Sequence, residues 1–85
     1  MSNYDKLRGK RAEVINPTSF SASTPYEFAN GGFFKVNAGG GTVIVEFFDG
    51  STETISTSAN ELVDWIVIKA IIGGTNSDCT AIHLA

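Results

Sequence analysis

Apolar and β-branched residues fall in short runs separated by glycine- and serine-rich breaks. The densest run, 42–48 (Thr-Val-Ile-Val-Glu-Phe-Phe), is β-branched and aromatic, the composition of a pleated, half-buried strand. Asp49-Gly50 follows at once, and Asp-Gly supplies the positive φ angles of a two-residue hairpin turn, so the chain should return through 51–57. Further strands are predicted at 12–16, stopped by Pro17, and at 32–37, 62–72 and 79–84. Ala38-Gly39-Gly40-Gly41 and Gly73 to Asp78 read as turns. Ser58-Ala59-Asn60-Glu61 reads as a turn or as the cap of a short helix. The stretch 17–31 reads as a loop pinned to the body by Phe20, Tyr26 and Phe28. Six short strands with glycine-rich turns predict an all-β fold, a small antiparallel sandwich or barrel over 26–85. Residues 1–25 would form an extended arm and loop, and 12–16 could add a strand to a neighbouring subunit.

Alternation along two strands changes this picture. In a strand successive side chains face opposite sides. Strand 42–48 puts Val43, Val45 and Phe47 on one face and Thr42, Ile44, Glu46 and Phe48 on the other. Strand 62–72 carries Val63, Trp65, Val67, Lys69 and Ile71 on one face, and Leu62, Asp64, Ile66, Ile68, Ala70 and Ile72 on the other. Both faces are mainly apolar. With 85 residues the chain is one domain, and a chain this short buries only about 60–65% of its unfolded surface. Self-association or docking on a larger assembly is the expectation, with Ile44, Phe48, Ile66 and Ile68 as interface residues and Phe33 or Phe34 nearby.

Charge adds a second asymmetry. Residues 1–11 hold Lys6, Arg8, Lys10 and Arg11 against Asp5 alone, a net +3. Residues 12–85 hold Lys35 and Lys69 against eight acids, a net −6. The four basic residues suit contact with an acidic partner surface. The acidic body disfavours nucleic acid.

Candidate chemistry is sparse. A single cysteine, Cys79, excludes a disulfide framework, and a single histidine, His83, excludes a histidine cluster for metal. Four residues apart on one strand, they would stand roughly 13 Å from each other, beyond hydrogen-bond reach. Gly39-Gly40-Gly41 lacks the Lys-Ser/Thr of a phosphate loop and opens a strand. Asp49, Ser51 and Glu53 alternate, but no calcium-loop pattern follows. No catalytic set emerges, and no cofactor or enzyme activity is expected. No apolar run approaches the length of a membrane span, and no charged-then-apolar leader precedes the body. A competing reading makes Phe33, Phe34, Phe47, Phe48 and Trp65 a stacking face for sugar or single-stranded nucleic acid.

From Gly31 to Ala85 the order is Gly-Gly-Phe-Phe-Lys-Val-Asn-Ala-Gly-Gly-Gly-Thr-Val, a hairpin, then Ile66-Val67-Ile68-Lys69-Ala70. Gly73-Gly74-Thr75-Asn76-Ser77-Asp78 and Ala81-Ile82-His83-Leu84 complete it. This resembles the small virion proteins at the base of head spikes in tailed phages and gene transfer agents. The chain departs from that pattern at Asp49-Gly50 and Glu53, at Asp64-Trp65 and at Asn76-Ser77. The resemblance implies a β-sandwich without catalysis that forms homo-oligomers, is made in the host cytoplasm, and attaches to capsid or fibre proteins of a virion.

Overall fold

A computed structural model describes residues 11–84. Six strands form, β1 (Ala12–Ile15), β2 (Tyr26–Val36), β3 (Gly41–Glu46), β4 (Thr52–Thr57), β5 (Leu62–Gly74) and β6 (Cys79–His83). All pairings are antiparallel, in one open sheet of order β1-β6-β2-β5-β3-β4. The only helical element among the described residues is a 3₁₀ turn, Pro17–Ser19. Asn16 caps it, its Oδ1 accepting from Thr18 N–H at 3.0 Å and from Thr18 Oγ1–H at 2.6 Å. The all-β antiparallel expectation holds.

The sheet is strongly curled. Strand β5 has 13 residues and would run about 40 Å if straight, yet the long axis of the molecule is 33 Å. Its first residues pair with the end of β2, through Leu62 with Lys35 and Val63 with Phe34. Its last pair with the start of β3, through Gly74 with Val43. The link from Val36 to Gly41 can span only about 18 Å, so the two ends of β5 must bend towards each other. Bulges supply the bend. Between Glu27 and Gly32, β2 advances five residues while β5 advances two, from Ala70 to Ile68. Between Gly32 and Phe34, β5 makes the compensating excursion, from Ile68 to Val63. A one-residue slip lies opposite Ile44 and Val45.

These irregularities decide what is buried. Along β5 the inward set is Val63, then Ile68 and Ala70, then Ile71 and Gly73, so the inward phase switches twice. One core draws on every strand: Ile15, Phe28, Phe34, Val36, Val43, Val45, Ile55, Val63, Ile68, Ile71, Cys79 and Ala81. Residues from both apolar faces of β5 therefore share a single interior. Phe20 and Tyr26 pack against that core and Phe28 joins it, as anchors were expected to do.

The N-terminal boundary moves. The arm was expected to run to residue 25, but Ala12–Ile15 forms the edge strand against β6 of its own chain, and Pro17 is buried. Strand β1 pairs with its own chain on one side only, and its other side is the edge of the sheet. Strand β2 also starts earlier than predicted, at Tyr26, because Asn30-Gly31, the end of the predicted 17–31 loop, is a bulge within the strand, with Gly31 at φ +86°.

Candidate functional site

Two side-chain clusters stand out, one polar and one apolar, on either side of Gly31-Gly32. The polar one joins β1, β2 and β6. Tyr26 Oη donates to Glu13 Oε1 at 2.6 Å and lies 2.7 Å from His83 Nε2. Arg11 Nη2 lies 3.1 Å from the same His83 nitrogen and 3.8 Å from Glu13. Tyr26 meets Phe20 and Phe28 edge-on, and the His83 ring lies 4.7 Å from that of Phe28. Burial first, then the hydrogen bond to Glu13, pushes the Tyr26 phenol up to about 12. Burial and then the Arg11 guanidinium lower His83 below its ordinary value, with Glu13 opposing. At neutral pH the phenol stays protonated and the imidazole neutral, which suits a clasp holding β1 to the sheet better than proton transfer. Cys79 is at the other end of β6, buried, with Sγ 3.4 Å from Asn76 Oδ1. Its thiol is raised to about 11 by burial and then by Asp78, the opposite of an activated nucleophile. Among the described residues no group of three metal-ligating side chains gathers.

The apolar cluster is built by the bulges and one turn. The β3–β4 turn is one residue wider than the Asp49-Gly50 turn predicted. Phe47 N–H donates to Ser51 O and Gly50 N–H to Phe47 O, which leaves Phe48-Asp49-Gly50 as the loop, with Gly50 at φ +89°. Phe48 is thus carried to the tip and is 58% exposed. Asp49 Oδ1 accepts from Ser51 N–H and Oγ–H, and these bonds hold its carboxyl below the usual range. On the β5 excursion Trp65 is 63% and Val67 42% exposed. A Cβ on Gly31 would lie 2.8 Å from Val67 Cγ1 and 3.3 Å from Phe48 Cε2, so these two side chains meet over the bare glycine. Trp65, two positions before Val67, extends the apolar surface along the same excursion.

The expected interface residues divide. Phe48 is exposed as expected. Ile44 and Ile66 are half-buried, and Ile66 packs against the core. Phe34 and Ile68 are fully buried and Phe33 nearly so, and these three are corrected to interior positions. The reason is the double change of phase, which strict alternation does not contain. Of the arm residues, Lys6, Arg8 and Lys10 lie outside the described residues. Arg11 is corrected from an arm contact to a partner of His83 and Glu13 within its own chain. The five-aromatic stacking face is not assembled: Phe33 and Phe34 are inside and Phe47 packs on the core, leaving Phe48 and Trp65. Val67, which alternation placed on the same face as Trp65, joins the patch as an unexpected member. Alternation alone does not single it out, because the Gly31 bulge it packs over emerges only from the pairing of β2 with β5. Among the described residues no helix is long and apolar enough to cross a membrane.

Fold and clusters define an all-β protein with one curled open sheet and an exposed aromatic patch. The chain matches no family model, and no significantly similar curated protein or solved structure was found.

Proposed function

We propose that this chain is a non-catalytic structural module that associates with copies of itself through the Phe48–Val67–Trp65 patch, as a decoration or spike-base component of a phage-like particle. The observation that carries the self-association is the meeting of Phe48 and Val67 over Gly31, with exposed Trp65 two positions from Val67 on the same excursion of β5. Scattered exposed apolar residues are ordinary, but Phe48 and Val67 meeting at one bulge, with a second exposed aromatic two residues along the same strand, suit an interface. The particle context rests on the resemblance of 31–85 to virion spike-base proteins. Stacking on nucleic acid is less well supported, because Asp49 and Asp64 adjoin the two exposed aromatics.

A large aromatic offers on the order of 200 Å². Covering the exposed part of Trp65 or Phe48 would contribute on the order of 3 kcal/mol at about 25 cal/mol per Å². Sedimentation of the full chain over a range of concentrations should show reversible association, and Phe48→Ser with Trp65→Ser should return it to monomer without lowering its thermal midpoint. A wild-type chain that is monomeric at every concentration refutes the self-association. Mass spectrometry of particles purified from cells producing the chain tests the context; its absence from them refutes a virion role.

A further inference from the structure

We infer that the occupant of the Phe48–Val67–Trp65 patch is the basic N-terminal segment, residues 1–10, of a neighbouring copy. This rests on the self-association proposed above and names which part of the second copy makes the contact. Three observations converge on it.

The first is position. His83 N–H donates to Arg11 O at 2.8 Å, and Leu84 N–H donates to Gly31 O at 3.0 Å. Arg11 is therefore two strands from Gly31, about 10 Å at the ordinary strand spacing, and at the same end of the sheet as the patch. Strand β1 runs antiparallel to β6. The chain therefore enters β1 at the end of the sheet where β6 finishes at His83, the end at which Gly31 and the patch lie.

The second is reach. Ten residues span up to about 33–36 Å when extended, comparable with the 33 Å long axis of the molecule. A copy placed beside that end is within range.

The third is chemistry. The segment carries Lys6, Arg8 and Lys10 against Asp5, with Met1, Tyr4 and Leu7 as its apolar side chains. The patch offers two exposed aromatics and Val67, with the exposed carboxylates of Asp49 and Asp64 next to Phe48 and Trp65 in the chain. Patch-to-patch pairing of two copies would bring these like charges together, whereas a cationic segment with apolar side chains complements both features.

The chain has one tryptophan, and it is in the patch, so its emission reports cover directly. In the full-length wild type, Trp65 emission should shift to the blue as concentration rises, in step with the sedimenting mass, and added salt should reverse both. Lys6→Glu, Arg8→Glu and Lys10→Glu combined should keep the thermal midpoint, leave the emission red, and raise the concentration needed for association at least tenfold. A synthetic peptide of residues 1–11 should then shift the emission of that variant, and the same peptide with the three glutamates should not. Association of the triple variant at the wild-type concentration overturns the segment as occupant while leaving self-association intact. A blue-shifted monomer whose emission is independent of concentration overturns the exchange between copies. A red-emitting wild-type monomer overturns both readings, and a peptide without effect overturns the segment.

Discussion

Gly32→Ala is the most direct probe of how the sheet brings both clusters together. Gly32 pairs with Ile68 of β5 and with His83 of β6. Its φ is not in the left-handed region, so an alanine there suffers no backbone strain. The obstacle is space. A Cβ would lie 2.3 Å from Phe28 Cδ1 and 2.5 Å from Ile82 O, against a carbon contact optimum of about 3.5–4.0 Å. Neither neighbour can yield cheaply. Ile82 lies between Phe33 on β2 and Ala12 on β1, so its carbonyl moves only with the ladder. Phe28 is buried and packed against both the Tyr26 and His83 rings. Overpacking costs about 1–3 kcal/mol, and with both a side chain and a backbone in the way the upper part of that range is expected. An 85-residue domain has roughly 4–13 kcal/mol in total. Gly39→Ala is the control, since Gly39 has φ +70° and nothing within 4 Å, leaving only strain of about 1–2 kcal/mol. Urea unfolding followed by circular dichroism should give a midpoint for Gly32→Ala below that of Gly39→Ala, with the slope unchanged. Equal midpoints, or the reverse order, would refute the approach of β2, β6 and Phe28 at this point.

Other consequences are independent of that one. In a Tyr4→Phe chain the remaining phenol, Tyr26, should ionise at about 12 by ultraviolet absorbance. Its raised value means that the folded state favours the neutral phenol, so this stability is full below the ordinary phenol range and is lost as pH climbs from about 10 towards 12; ionisation near 10 in the folded chain would contradict the clasp. His83 has the opposite sign, because its folded value is depressed. Stability from its neutral ring is present above about 6.5 and declines as pH falls below that, and His83→Gln should flatten the acid limb of a stability–pH curve relative to wild type. The buried Cys79 thiol should react with an aromatic disulfide reagent only through opening, far more slowly than in urea, and immediate reaction would place it at the surface. Ile68→Asp should abolish folding rather than association, since it introduces an unpaired carboxylate into the core; a folded monomer would return Ile68 to the surface.

Local chemistry was legible in the chain wherever one short segment decides the structure. Val43 and Val45 alternate inward as written, Gly39 adopts the positive φ of a turn, and Ser58–Glu61 closes as a turn with Glu61 Oε1 accepting from Ser58 N–H. What the sequence concealed is pairing between distant segments. The excursion of Phe28 to Gly31 on β2 has its counterpart on β5, at Asp64 to Val67, and neither can be inferred without the other. Asn30-Gly31 reads as the end of a loop because a bulge and a loop both favour a residue at positive φ, as Gly31 has. The same blindness governs the site. Periodicity treated Ile66 and Ile68 as equivalent to Phe48, but a bulge rotates the strand and sends one alternating set indoors partway along. Of the expected interface residues only Phe48 is exposed at the patch, and Trp65 and Val67 join it from the face of β5 that alternation set opposite Ile66 and Ile68, so the surface a partner must cover is smaller but concentrated. Asp49-Gly50 had the right residues and the wrong count: shifting the turn by one residue leaves Phe48 at the tip, where a chain with no neighbour would be better served by a polar residue.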